Sequence, residues 1–153
     1  MTEPLRQQIA RLRELAPELN EVTDKATRLV GVVEKFLNEE LSLGIPCRVT
    51  VSDSWDPSDE LRHCKDLHYG RFEGKFRLYV AEYTIYHDGE GDNYKETPWS
   101  SCPRDLKLAS FQKIPDLLAD LTKKVEQAIK ETEGTGKTIQ ELLKAIGGKE
   151  ESE

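Results

Sequence analysis

Leu5, Leu12, Leu19, Ala26 and Val33 recur every seven residues, and Leu15, Val22, Leu29 and Phe36 stand three places on, so apolar side chains step by four and three through the N-terminal third. Such a rhythm belongs to a helix with one apolar face, since a strand alternates every second residue. Ile9, Ala16, Val30 and Leu37 widen the face beyond the narrow seam of a two-stranded coiled coil. Pro17 interrupts the pattern chemically without shifting its phase, because it lacks an amide donor and crowds the carbonyl four residues back. A kinked N-terminal helix is expected: one piece over 4–15, a second over 17–43, closed by Gly44 as a left-handed cap with Pro46 beyond.

The period then changes. From Cys47 to Asp53, Val49 and Val51 alternate with Arg48, Thr50 and Ser52, the pattern of a half-buried strand. Ser54 to Lys65 is rich in turn formers and charge and reads as a loop with one helical turn at most. Leu67–Phe72 and Lys75–Tyr86 flank Glu73-Gly74, which predicts a central antiparallel hairpin over 67–86. Pairing Phe72 with Lys75 puts Tyr69 opposite Leu78, Leu67 opposite Val80 and Arg71 opposite Phe76 on the core face. The second face then carries His68 opposite Tyr79 and Gly70 opposite Arg77, followed by Ala81, Tyr83 and Ile85. That face is more apolar than a solvated one needs, so a helix or another chain is expected to cover it.

His87 to Ser101 reads as a long exposed loop. Pro103 opens a helix capped by Ser101 or Cys102, and Pro115 starts another that carries Leu117, Leu118, Leu121, Val125, Ala128 and Ile129 and ends near Gly134. Thr138 and Glu141 have capping-box spacing for a last short helix before Gly147-Gly148. The fold class expected is therefore α+β: a kinked long N-terminal helix, a small antiparallel sheet of about three strands and C-terminal helices packed on it. Residues 1–148 are expected to form a single domain, and 149–153 a disordered tail.

A net charge of −7, from 29 acidic against 22 basic residues, disfavours binding to nucleic acid. The first twenty residues mix Arg and Glu without an apolar run, unlike a secretory signal, and Leu29 to Val33 is too short to span a bilayer, so no membrane partner is expected. Three widely spaced cysteines, Cys47, Cys64 and Cys102, fit reduced thiols in a cytoplasmic protein.

Motifs that carry chemistry are weak. Gly134-Thr135-Gly136-Lys137-Thr138 looks like the end of a phosphate loop, but Glu131 stands where that loop needs glycine and no strand precedes it. His63, Cys64 and His68, with Cys47 or Cys102, have no recognised zinc spacing, and neighbouring His63 and Cys64 point apart on a strand. Asp88, Glu90 and Asp92 lack the glycine and glutamate of an EF-hand, so a solvated acidic loop is preferred. Asp53, Asp56, Asp59 and Glu60 make a second acidic patch. Neither a metal nor a cofactor is assigned, and the balance leans away from an enzyme.

The function expected is a non-catalytic cytoplasmic protein-interaction or assembly module, a homodimer or other homo-oligomer. Its partner-binding residues are His68, Arg77, Tyr79, Tyr83 and Ile85 on the second hairpin face, with Trp55 and Trp99 at loop margins. The alternatives are a small enzyme or ligand- or metal-binding protein built around His63, Cys64 and His68, and an acidic chaperone or inhibitor of a basic partner.

Overall fold

A computed structural model describes residues 2–58, 60–86, 89 and 91–147. The architecture is α+β: a long helix α1 (Glu3–Lys35), a four-stranded sheet of β1 (Cys47–Asp56), β2 (Leu61–Phe72), β3 (Lys75–Tyr86) and β4 (Gly91–Pro98), then α2 (Arg104–Phe111) and α3 (Ile114–Ala145). The strands form an antiparallel meander in the order β1-β2-β3-β4. The expected tail, 149–153, lies outside the described residues.

One cluster joins helices to sheet: Ala26, Val30 and Leu37 from the first helical segment, Leu67, Tyr69, Leu78 and Val80 from the hairpin, Trp99, Leu106, and Ile114, Leu117 and Leu121 from α3. The hairpin register is the expected one, Phe72 with Lys75 through Leu67 with Val80. Its turn has positive φ at Glu73 (50°) and Gly74 (85°), the type I′ geometry whose twist matches that of the strands.

α1 does not break at Pro17; it runs through it as one helix. The proline ring lies on the side of the helix away from the apolar stripe, where the carbonyl it leaves unpaired can meet water. After Lys35 the helix widens into one π turn, Phe36–Leu41, and Ser42 rather than Gly44 closes it in the left-handed conformation (φ 46°). Here α1 docks on the sheet edge. Beyond the end of β4, the open edge of β3 is capped by side chains one helical turn apart: Glu34 Oε1 accepts the Leu78 amide at 2.7 Å, and Asn38 Nδ2 donates to the Phe76 carbonyl at 2.9 Å. On the outer edge of β1, Asp120 Oδ2 accepts the Arg48 amide at 3.2 Å. Such caps keep strand edges from pairing with another chain.

Three other expectations are corrected. Ser54–Lys65 is not a loop: β1 continues to Asp56 and β2 begins at Leu61. Ser52, Asp53, Ser54 and Trp55 are all exposed, so this end of the sheet is wet on both faces and lacks the alternation that marks a half-buried strand. The region 87–101 is not all loop, because it contains β4 and a 3-10 turn, Trp99–Ser101. The composition of β4, with turn formers, charge and a terminal proline, is what an edge strand tolerates. Finally, α3 passes through Gly134 and Gly136 without ending, and Thr138 is no cap: its hydroxyl donates to the Gly134 carbonyl at 3.2 Å, inside the helix.

Candidate interaction surface

The helices pack on one face of the sheet. On the other, side-chain contacts run from strand to strand. His68 stacks on Tyr79, with ring centroids 4.9 Å apart and planes 9° from parallel; Phe72 meets the same tyrosine at 5.5 Å, and the Arg77 guanidinium lies over Phe72. The Tyr79 hydroxyl reaches over Gly70, where an added Cβ would stand 3.6 Å from it. Farther along, Tyr83 donates to Asp66 Oδ2 at 2.8 Å and meets Tyr94, whose hydroxyl donates to Glu96 at 2.7 Å. At the wet end Asp53 takes a two-pronged bond from Arg62, at 2.9 and 2.6 Å, and the Cys64 thiol points at the same carboxylate from 3.9 Å.

This geometry explains how Asp66, Tyr79, Ala81 and Cys64 are buried without a helix above them. Large side chains lie flat over small or acidic neighbours. The ionisable groups are correspondingly quiet. Burial, with Asp53 next, raises the Cys64 pKa, so the thiol stays protonated. Burial and the bond to Asp66 push Tyr83 up to about 12. Burial lowers His68, leaving a neutral imidazole at pH 7. Among the described residues no buried side-chain nitrogen or oxygen lacks a partner, and no group of three His, Cys, Asp or Glu is placed to hold a metal.

Of the seven residues expected to bind a partner, His68, Arg77, Tyr79, Tyr83 and Ile85 share the open face by register, and Trp55, half exposed, stands on it at the outer end of β1 opposite Arg62. Trp99 does not join them. It is buried in the core, its Nε1 donating to Ser110 Oγ at 3.0 Å. His63 alternates to the face opposite Cys64 and His68, while Cys47 and Cys102 belong to the core cluster, so the imagined metal set does not converge. Asp56, Leu61 and Tyr86 stand together at one end of the sheet, because Leu61 pairs with both Asp56 and Tyr86. Asp59, Asp88, Glu90 and the Asp92 side chain lie outside the described residues.

A larger surface lies on the helices. Leu5 (50% exposed), Leu12 (63%), Leu19 (40%) and Val22 (54%), with Leu15, leave the α1 stripe open to solvent before Thr23 and Ala26 enter the body. Leu12, Leu15, Ala16, Glu18, Leu19 and Val22 line a shallow groove of about 580 Å³ along it. Ile129 near the middle of α3, Ile139 and Leu142 on its distal half and Ile146 just beyond its end are also exposed. The seven-residue repeat carried this signal; what it lacked was which stripe positions the body would cover, since Ala26, Val30 and Leu37 are buried while Leu29 and Phe36 beside them stay exposed. No helix among the described residues is long and apolar enough to cross a membrane. Compared with family models, curated proteins and solved structures, the chain matches none.

Proposed function

We propose that the chain is a non-catalytic assembly module that works as a homo-oligomer, with the N-terminal half of α1 as its principal adhesive surface. The observation that carries this reading is the exposed stripe Leu5, Leu12, Leu15, Leu19 and Val22, since an unpartnered row of leucines on a helix rising from a finished core has no role in that core. The quiet chemistry of the sheet face supports the same reading, because its thiol stays protonated and its carboxylates are already engaged. That face, with the His68, Tyr79 and Phe72 ladder and Trp55 at its margin, is the surface offered to a further protein partner.

Replacing Leu12 and Leu19 together with glutamate tests the proposal. The expected variant keeps its helical circular dichroism and denaturation midpoint, because neither residue is in the core, but loses self-association by at least about a hundredfold, as two buried leucines become desolvated charges. Unchanged association would contradict the role given to α1.

A further inference from the structure

Resting on the reading of the chain as a self-assembling module, we propose that the α1 stripe is covered by α1 of a second copy, antiparallel about a two-fold axis between residues 13 and 14. The direction and register follow from what flanks the stripe. With Leu5, Leu12 and Leu19 at heptad position a and Leu15 and Val22 at d, position g holds Arg11, Glu18 and Lys25, while position e holds Ile9, Ala16 and Thr23.

In the proposed register Leu12 lies opposite Leu15, Leu5 opposite Val22 and Gln8 opposite Leu19, each pair occurring twice by symmetry. Along one flank Arg11 meets Glu18 of the second copy, also twice; along the other, Ile9 meets Ala16. Neighbouring antiparallel registers are selected against. Centring the pair on residue 17 sets Arg11 against Lys25 and Glu18 against itself, and centring it on residue 10 sets Arg11 against itself. A parallel pair would aim Arg11 at Ala16 and Glu18 at Thr23, giving no ion pair, and Thr23 is already buried in its own body.

The body leaves room for this partner. Thr23 and Ala26, about 100° and about 40° round the helix from Val22, enter the core, while Leu29 and Phe36 farther along the Val22 row stay exposed. Asn20, which accepts from Arg104 Nη2 at 2.7 Å, marks the side facing α2, away from Arg11 and Glu18. The groove beside Leu12, Leu15, Ala16 and Leu19 is the four-residue hole that takes a knob from a facing helix. Pro17 falls on the far side of α1 and obstructs nothing.

Charge reversal in the full chain tests the register. Arg11→Glu and Glu18→Arg each turn two attractive contacts into two repulsive ones, and each is expected to weaken self-association about tenfold. Combined, they are expected to restore it to within about threefold of wild type. Because Arg11 also pairs with Glu14 in its own helix at 3.0 Å, Glu18→Arg is the cleaner single variant. A nitroxide on Arg28→Cys gives the direction: labels about 45 Å apart in the antiparallel pair, about 20 Å in a parallel one. A dimer that ignores the reversals, fails to be rescued by the double variant or shows the short distance overturns this inference while leaving assembly standing. A wild-type chain that stays monomeric overturns the assembly reading and this inference together.

Discussion

His68 shows how burial on an uncovered sheet face sets a side chain's chemistry. Burial, through the stack on Tyr79, outweighs the nearby Asp66 carboxylate, so its pKa lies below the ordinary 6.5. In the unfolded chain the imidazole binds a proton as pH falls through about 6.5, while in the folded chain it does so only at lower pH. The unfolded state therefore holds more protons in that window, and His68 makes the fold less stable as acid is added. His68→Phe keeps the stack and removes the titration. Its denaturation midpoint is expected to fall less than that of wild type between about pH 7.5 and about pH 5.5; equal losses would assign the acid sensitivity elsewhere. The partition behind this prediction was legible in the sequence, because Glu73-Gly74 fixes Phe72 opposite Lys75 and strict alternation then divides His68 and Tyr79 from Leu67 and Leu78. Trp99 was not legible in the same way. Its destination depends on Ser110, which meets it only after the chain has turned through Pro103.

Elements were readable where one face is dry. The alternation at Val49 and Val51 marks β1, but its continuation through Ser54 and Trp55 runs past the helices and carries no apolar signal. β4 hides for a related reason: an edge strand held by β3 can have the composition of a loop. The C-terminal half of α3 shows the opposite error, in which local punctuation suggests an end that the helix does not make. Gly134 and Gly136 each cost roughly 1 kcal/mol relative to alanine, but no proline follows them and Lys130, Glu131, Glu133 and Lys137 are good helix formers. Neither glycine has positive φ, and a Cβ at either would meet no atom within 4 Å. Gly134→Ala and Gly136→Ala are therefore expected to raise helicity and slow amide exchange over 134–145, each by about 0.5–1 kcal/mol of local stability. A fall in helicity would place a break there.

In the whole molecule, one core is closed by the helix layer on one side of the sheet, and exposed apolar side chains run along the near half of α1 and the far part of α3, with others at Leu29, Val32 and Phe36 beside the body. Because α1 and α3 both pass the core before or after these exposed stretches, each helix is longer than its own packing requires. The sequence displayed the α1 stripe in full, yet tertiary packing alone decides that Ala26, Val30 and Leu37 are satisfied by the body while Leu5, Leu12 and Leu19 are not. Self-assembly through α1 is the central claim, and the most direct measurement is the molar mass of the purified chain by multi-angle light scattering across a hundredfold concentration range. The account predicts a mass twice that of one chain, falling toward the single-chain value only at the dilute end. A single-chain mass throughout would contradict it.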